Sequence, residues 1–204
     1  MPATAAAPPR SKVLPIVAAL ADLPAAAVAV LMLRHAEREA IVDRQSGWHA
    51  ALTDAGCAAA VDLGRRLAPW SPAAIDHSPI PRCGATALAM AKGLRAGGQE
   101  VAPGKDLDVF SGPFIYDLEP VLDSYLGLGN AAFLRAWFDG DLGAAIIQPA
   151  TAAACDQLDA LAALLPERGP HLAVVVSHDW NVALVRECLL GQRHEDVGLP
   201  AVLD

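Results

Sequence analysis

Two short apolar segments stand out along the chain, and each ends in a polar cluster that contains a histidine. Residues 27–33 (AVAVLML) and residues 172–176 (LAVVV) are apolar throughout and rich in β-branched side chains. Such runs are typical of strands that are buried on both faces of a parallel sheet. Arg34 and His35 follow the first run directly, and His178 lies just beyond the second. The pattern therefore predicts two core strands with polar groups at their carboxyl ends.

Apolar positions at helical spacing lie between and after these strands. Thr53 has the character of an N-cap, and it precedes an apolar stripe. Two further stripes end before Pro166 and Gly191, as helices often do. The three stripes are Cys57, Val61, Gly64 and Ala68; Ala154, Leu158, Leu161 and Leu165; and Val182, Val185 and Leu189. Alternating strands and helices predict an α/β fold, a three-layer α/β/α sandwich around a mostly parallel sheet.

The length of 204 residues favours one domain over residues 1–204. Residues 1–11 are rich in Pro and Ala, which predicts a loose leader. Residues 97–141 are rich in Gly, Pro and Asp and have little sustained period, so we expect a long irregular insertion with short elements near the functional site.

Composition excludes several classes of function. The chain is 54% hydrophobic and carries a formal charge of −8 without any run of Lys or Arg, which argues against a nucleic acid or an anionic membrane as partner. The apolar stretch after Lys12 is interrupted by Pro15 and Asp22, and no run is long enough for a membrane span, so a cytoplasmic location is expected.

The four cysteines form no C-x-x-C pair and are expected to be mostly buried thiols. No cofactor and no metal are predicted.

A third cluster, residues 77–87, follows a short apolar run and contains Arg82. Functional groups of α/β folds gather where strands end and helices begin. Three strand ends would then bring two histidines and two arginines to one edge of the sheet.

Four segments of the chain resemble the motifs of a known family. LRHAE is similar to an R-H-G-E signature, LTDAGCAAAVDLGRRL to an L-T-x-x-G-x-x-Q-A helix, SPIPRCGATA to S-P-x-x-R-x-x-Q-T-A, and VVVSHDWNVALV to a strand and helix that hold a second histidine. In this order they resemble the histidine phosphatase superfamily, which includes phosphoglycerate mutases and many small phosphatases. The resemblance spans roughly residues 27–191 and implies a phosphoglycerate mutase-like fold.

The resemblance also implies a chemistry for four residues. His35 would be the nucleophile that forms a covalent phosphohistidine, and His178 would stabilise charge on the phosphoryl group. Arg34 and Arg82 would bind phosphoryl oxygens, a task for which planar guanidinium groups are well suited. The implied substrate is a phosphorylated small molecule or a phosphohistidine protein, and the implied enzyme is a metal-independent phosphatase.

The general acid for the leaving group stays open at the level of sequence. Asp179 matches the H-D pair that one branch of the family uses as its acid, and we favour it. In the other branch the acid lies in the segment after the second arginine, where Asp117 and Glu119 are the candidates. Trp48, Trp180, Phe114 and Tyr116 are candidates for lining a substrate pocket, although aromatic side chains more often pack the core.

The chain departs from the family pattern at several positions. Ala36 replaces a glycine, Gly84 and Ala85 stand where glutamine is common, and the mutase hallmark of a tryptophan followed by Glu-Gly is missing, so a mutase is not expected. The chain stops soon after the helix of the second histidine, so a final strand is expected to be missing or very short.

Two alternatives remain: a catalytically weak member that only binds phosphorylated ligands or partner proteins, and a metallohydrolase built on His35, His178 and Asp179.

Overall fold

The computed structural model describes residues 13–24, 26–41, 46–165 and 171–203, and the predicted leader at residues 1–11 lies outside them. Its elements are α1 (Val13–Ala21), β1 (Val28–Arg34), α2 (Ser46–His49), α3 (Asp54–Leu67), β2 (Ile75–His77), α4 (Pro81–Ala96), α5 (Leu118–Leu128), α6 (Asn130–Phe138), α7 (Ala150–Ala162), β3 (His171–Ser177), α8 (Asp179–Leu190) and α9 (His194–Val197). Two 3-10 turns, at Ala68–Trp70 and Asp108–Phe110, complete the list. The α/β class predicted from the sequence is confirmed.

The three strands form one parallel sheet in the order β1-β3-β2. Arg34 is paired with Ser177, and His77 is paired with Val176, so the carboxyl ends of all three strands lie level. The backbone N–H of His35 donates a hydrogen bond of 2.8 Å to the Ser177 carbonyl just beyond this edge. The polar groups that follow the strands are therefore brought to one place, as the sequence predicts.

Both faces of the central strand are covered. Leu172, Val174 and Val176 join a hydrophobic cluster with side chains of α3 and α4, and the alternating residues Ala173 and Val175 are buried on the opposite face. A second cluster is built from α5, α6, α7 and α8. Helices on both faces explain why the strands read as continuous apolar runs.

Helices α3 and α4 approach each other at backbone distance. A Cβ added at Gly64 would lie 2.0 Å from the Met90 carbonyl oxygen, and one added at Gly93 would lie 2.0 Å from the Val61 carbonyl oxygen. The two glycines thus permit a contact that any other residue would obstruct. This packing fixes α4, which carries Arg82 in its first turn.

The predicted N-cap is confirmed, since the Thr53 hydroxyl accepts a 2.9 Å hydrogen bond from the Gly56 N–H, and the predicted buried face of α3 is right in part. Gly64 and Ala68 are buried as predicted, but Cys57 is exposed and Val61 is half-buried. The buried positions of the helix are Gly56, Ala60, Leu63, Gly64 and Leu67. Alanines occupy both sides of this helix, so apolar character alone does not distinguish its faces. The expectation of mostly buried thiols is also wrong, because only Cys83 of the four cysteines is buried.

The segment 97–141 is more regular than its composition indicates. It contains the helices α5 and α6, whose residues Val121, Phe133, Leu134 and Trp137 supply much of the second cluster. Among the described residues no fourth strand joins the sheet, and α8 is followed by the short α9. Within the described ranges, every helix is too short or too polar to cross a membrane.

Candidate active site

His35 lies directly after β1 and is almost completely buried, with 2% of its surface exposed. Its Nδ1 is 2.8 Å from the Ala36 carbonyl oxygen, which can only accept a hydrogen bond, so Nδ1 carries the proton. The lone pair therefore resides on Nε2. Burial, together with the charges of Arg82, Arg34 and Arg38, lowers the pKa of His35 to about 3, although the bond to Ala36 acts in the opposite direction. The ring is neutral at pH 7, as a nucleophilic imidazole must be.

His178 precedes α8 and faces His35. The two ring centroids are 5.6 Å apart and the ring planes are inclined by 66°. Its Nδ1 lies 3.3 Å from Nη2 of Arg82, which can only donate, and its Nε2 lies 3.0 Å from the Ser78 hydroxyl oxygen. The proton of the neutral ring is therefore on Nε2 and points at Ser78. Burial, with the nearby charge of Arg82, lowers the pKa of His178 well below its usual value.

Arg34 ends β1 and makes two contacts that fix its side chain. Its Nη1 donates a 2.8 Å hydrogen bond to the Pro200 carbonyl, and its Nη2 lies 3.1 Å from a carboxylate oxygen of Asp179. Asp179 is the first residue of α8, and its other oxygen accepts a 3.0 Å hydrogen bond from the Trp180 N–H. Asp179, the predicted acid, is thus in contact with Arg34, one of the residues predicted to bind the phosphoryl group.

Arg82 enters from the first turn of α4. Its Nη1 donates to the Gly47 carbonyl at 2.9 Å, while its Nη2 contacts His178. Thr86, one turn later, donates to the Arg82 carbonyl at 2.8 Å and accepts the Ala36 N–H at 3.1 Å. This fully buried hydroxyl therefore ties the loop that holds His35 to the helix that holds Arg82.

The Nε atoms of Arg34 and Arg82 are both buried and have no hydrogen-bond partner among the described residues. A buried donor without a partner carries an energetic cost, and donors of this kind suit an anion. Burial lowers the pKa of Arg82, yet a guanidinium group stays protonated at neutral pH. Two cationic forks and two neutral imidazoles together form a site that can bind a phosphoryl group.

The other predicted acids are placed differently. Asp117 is the exposed N-cap residue of α5, and Glu119 is exposed in the first turn of that helix. The Asp117 N–H donates to the Ile146 carbonyl at 3.1 Å. Asp179, in contrast, is in direct contact with the predicted site residue Arg34.

A cleft of about 200 Å³ adjoins His178 at the start of α8. Arg82, His178 and Asp179 line one part of it, and Ile80, Ser111, Gly112, Phe114, Ile115, Trp180 and Asn181 line the rest. Two of the four aromatic residues considered from the sequence, Phe114 and Trp180, are thus part of the wall. The cleft leads from the candidate phosphate site to an uncharged surface.

Sequence reasoning missed three residues that shape the site. Ser78 and Cys83 both contact His178, and both are fully buried; burial raises the pKa of the Cys83 thiol to about 12, so it stays protonated. Arg38 adds a third positive charge that acts on His35 and Arg82. Glu37, its neighbour in the sequence, accepts a hydrogen bond from the Thr53 hydroxyl, while Arg38 donates to the Glu39 carbonyl. Ser78 could have been found from its place in the quoted SPIPR segment.

One cluster of potential metal ligands occurs among the described residues, and it lies elsewhere. Ligand atoms of Glu187, His194 and Glu195 are within 4.8 Å of one another. Arg135 occupies this cluster, with its Nη1 2.7 Å from Glu187 and 3.5 Å from Glu195. A guanidinium group already neutralises these carboxylates, so we interpret the cluster as an ion-pair network. His35, His178 and Asp179 do not form such a ligand group.

Comparison with known protein families gives one match. Residues 30–108 match the family profile of the histidine phosphatase superfamily (branch 1). None of the curated protein sequences compared with the chain matches it.

Solved structures share the fold at low sequence identity. Bacillus stearothermophilus YhfR is 18% identical, with 81% of this chain and 82% of that one covered and a TM-score of 0.54. A mycobacterial glucosyl-3-phosphoglycerate phosphatase in complex with inorganic phosphate is 18% identical over 81% and 80% of the two chains, with a TM-score of 0.53. Mycobacterial hydrolase 2 is 18% identical over 80% and 72%, with a TM-score of 0.55. The chain is thus similar to the histidine phosphatase superfamily over residues 30–108, which is less than half of its length, and it shares the fold of these solved structures.

Proposed function

We propose that the protein is a metal-independent phosphatase that hydrolyses phosphorylated substrates through a covalent intermediate on Nε2 of His35. The observation that carries this proposal is the state of the His35 ring. Its Nδ1 proton is held by the Ala36 carbonyl, its pKa is lowered to about 3, and its Nε2 lone pair is free beside the two arginines. A structural similarity to phosphatases supports the same reaction class.

In the first step Nε2 of His35 attacks phosphorus, a P–N bond forms and the P–O bond to the leaving group breaks. Negative charge on the equatorial oxygens is stabilised by Arg34 and Arg82, including their buried Nε–H donors. The Nε2–H of His178 turns from Ser78 to one of these oxygens. Neutral histidine is suited to this role, since it donates a hydrogen bond without changing charge.

Asp179 protonates the departing oxygen in this proposal. In the free protein its carboxylate is bound to Arg34. A phosphate dianion competes for that guanidinium group and so releases the carboxyl group of Asp179 to face the departing oxygen. After proton transfer, the Asp179 carboxylate accepts a proton from the water that attacks the phosphohistidine. Inorganic phosphate leaves, and both residues return to their starting states.

The test is turnover of a generic aryl phosphate by the wild type, His35→Ala and His49→Ala, with excess chelator present. We expect activity in the wild type and in His49→Ala, whose side chain is exposed, and none in His35→Ala. Rapid quenching should trap an acid-labile, base-stable phosphoryl label that His35→Ala lacks. Undiminished turnover by His35→Ala would refute the proposal.

The departures from the family motifs are also consistent with a second function, the binding of phosphorylated ligands without turnover. It predicts phosphate binding that depends on Arg34 and Arg82 while the wild type shows neither turnover nor label. The same experiment therefore separates the two functions.

A further inference from the structure

The cleft beside His178 has two chemically distinct ends. At one end are Arg82, His178 and Asp179, the groups assigned above to phosphoryl transfer. The other seven lining residues that the structure describes carry no charge. A substrate whose phosphoryl group lies between the arginines would therefore place its leaving group against a neutral wall.

The polar atoms of this wall are already engaged. Trp180 donates its indole N–H to the Asn130 side chain at 2.9 Å, and Ser111 donates its hydroxyl to the Asp108 carbonyl at 2.7 Å. The Asn181 side-chain amide donates to the Phe110 carbonyl and to the Ser177 hydroxyl, and its oxygen accepts from Gln157. A charged leaving group would lose its hydration here without gaining a partner.

The shape of the wall is set by rigid packing. Trp180 stacks on Phe133 with centroids 4.8 Å apart, and Phe114 stacks on Trp137 at the same distance. Gly112 has a φ of +98°, and a Cβ placed there would face Ile115 and Phe114. At about 200 Å³ the cleft is smaller than the usual range for sites that enclose drug-sized ligands, so it suits a compact group.

We infer that this cleft is the leaving-group site of the proposed phosphatase and that it selects phosphorylated compounds whose leaving group is compact, apolar and uncharged. Carboxylate-bearing and doubly phosphorylated esters are disfavoured, because no cation lines the far wall. This inference rests on the proposed function, which supplies the position of the phosphoryl group.

The first test compares three esters of primary alkyl alcohols, so that the preference does not reflect an aryl leaving group. These are benzyl phosphate, glycerol 3-phosphate and phosphoglycolate, which carry an apolar, a neutral polar and a carboxylate group respectively. We expect kcat/KM for benzyl phosphate to exceed that for phosphoglycolate by roughly tenfold or more. Equal values, or a preference for phosphoglycolate, would overturn the inference.

Two variants locate the preference in the cleft. Ile115→Asn removes apolar surface and should lower kcat/KM for benzyl phosphate by roughly 3- to 10-fold. The value of kcat/KM for phosphoglycolate should stay within about twofold of that of the wild type. Ser111→Lys adds a cation and should raise kcat/KM for phosphoglycolate relative to benzyl phosphate by roughly tenfold. If either variant changes kcat/KM for all three esters by one common factor, the wall does not select the leaving group.

Matched controls carry the same chemical changes elsewhere. Leu88→Asn alters an apolar side chain that is 72% exposed on α4. Ser124→Lys replaces a hydroxyl that donates to a backbone carbonyl in its own helix, as the Ser111 hydroxyl donates within its own turn. Both controls should keep the ester ratios of the wild type within about twofold.

Binding of the phosphonates benzylphosphonate and phosphonoacetate, measured by calorimetry, gives a readout that needs no turnover. Tighter binding of benzylphosphonate, weakened in Ile115→Asn, supports the site even if the protein is a poor catalyst. If turnover depends on His35 but neither kcat/KM nor binding differs among the esters and phosphonates, the leaving-group site is refuted and the proposed catalysis is not. If the protein shows no turnover but binds benzylphosphonate more tightly than phosphonoacetate, the proposed catalysis is refuted and the cleft remains a binding site.

Discussion

The carboxylate of Asp179 and the guanidinium group of Arg34 lie 3.1 Å apart, so the candidate acid and a candidate phosphate ligand are bound to each other. Both side chains are about a quarter exposed or less, at 26% and 21%. An anion that binds Arg34 must therefore compete with Asp179. In the proposed mechanism, this ion pair couples the binding of phosphate at Arg34 to the release of Asp179.

Asp179→Asn tests this coupling. The amide cannot donate a proton as an acid, so kcat for an alkyl ester should fall by roughly 100- to 1000-fold, and by less for an aryl ester with a better leaving group. Inorganic phosphate should bind more tightly to the variant, because the competing carboxylate is gone. Steady-state kinetics and calorimetry measure the two effects.

The matched change at the other candidate acid is Asp117→Asn. If Asp179 is the acid, kcat of this variant stays within about threefold of the wild type for both ester types. A loss of about 100-fold for the alkyl ester in Asp117→Asn, with Asp179→Asn nearly unaffected, would reverse the assignment.

Ser78 is expected to position His178. Its hydroxyl oxygen accepts the Ile80 N–H at 3.3 Å and contacts Nε2 of His178, and the residue is fully buried. Ser78→Ala leaves these groups without that partner, which should lower the free energy of unfolding by about 1–3 kcal/mol. We also expect kcat/KM to fall by roughly tenfold because the ring is less firmly oriented.

A merely structural role for Ser78 would not alter the tautomer of His178, so nitrogen NMR of the ring supplies a separate readout. In the wild type the proton should be on Nε2, and in Ser78→Ala a mixture of tautomers is expected. Ser124→Ala is the control, since it removes a hydroxyl that donates to the Pro120 carbonyl away from both histidines. An unchanged His178 spectrum in Ser78→Ala would contradict the positioning role.

The strands and the convergence of their ends were predictable from the sequence for a simple physical reason. A strand buried on both faces must be apolar throughout, and the first polar residues after it mark the edge of the sheet. This reasoning placed Arg34, His35 and His178 at one edge of the sheet, and Arg82 was placed there from the cluster that follows β2. The tautomers of the histidines were not accessible, because they depend on which atoms of Ala36, Ser78 and Arg82 lie within hydrogen-bond distance.

The orientation of α3 was harder to predict. Apolar side chains, many of them alanines, occur on more than one side of this helix, and its buried face is decided by how closely it approaches α4. Glycine carries no hydrophobic signal, yet Gly64 and Gly93 permit the close contact between α3 and α4, and Gly56 permits a close contact with the Glu37 backbone. The pattern of apolar residues therefore does not reveal which side of α3 packs against α4.

Gly64→Ala tests the close contact between α3 and α4. The new Cβ would collide with the Met90 backbone carbonyl, so the two helices must move apart. We expect the free energy of unfolding to fall by about 2–4 kcal/mol, more than the gain in helix propensity from alanine can offset. Chemical denaturation measures the change.

Gly127→Ala is the matched control within α5, where an added Cβ meets nothing within 4 Å. Here alanine should raise the free energy of unfolding by about 0.5–1 kcal/mol through helix propensity alone. A Gly64→Ala protein as stable as Gly127→Ala would show that the helices are not in backbone contact.

The buried neutral state of His35 predicts how stability depends on pH. Its pKa is about 3 in the folded protein and about 6.5 in the unfolded chain, so below pH 6.5 the unfolded chain binds a proton that the folded protein does not. The contribution of the neutral ring to stability is thus fully present above pH 6.5 and is lost progressively as the pH falls toward 3, at about 1.4 kcal/mol per pH unit. Replacement by glutamine removes this titration. The difference in unfolding free energy between the wild type and His35→Gln should therefore shift by about 2 kcal/mol in favour of the variant between pH 7 and pH 5.

Leu33→Ala provides the comparison for that experiment, because it removes a fully buried side chain that does not titrate. Its destabilisation of about 2–5 kcal/mol should be the same at pH 7 and pH 5, since no proton is linked to the change. Denaturant unfolding of the three proteins at both pH values gives the two differences directly. If His35→Gln and Leu33→Ala respond to pH alike, the pKa of His35 is not lowered in the folded protein, and burial does not keep its ring neutral below pH 6.5.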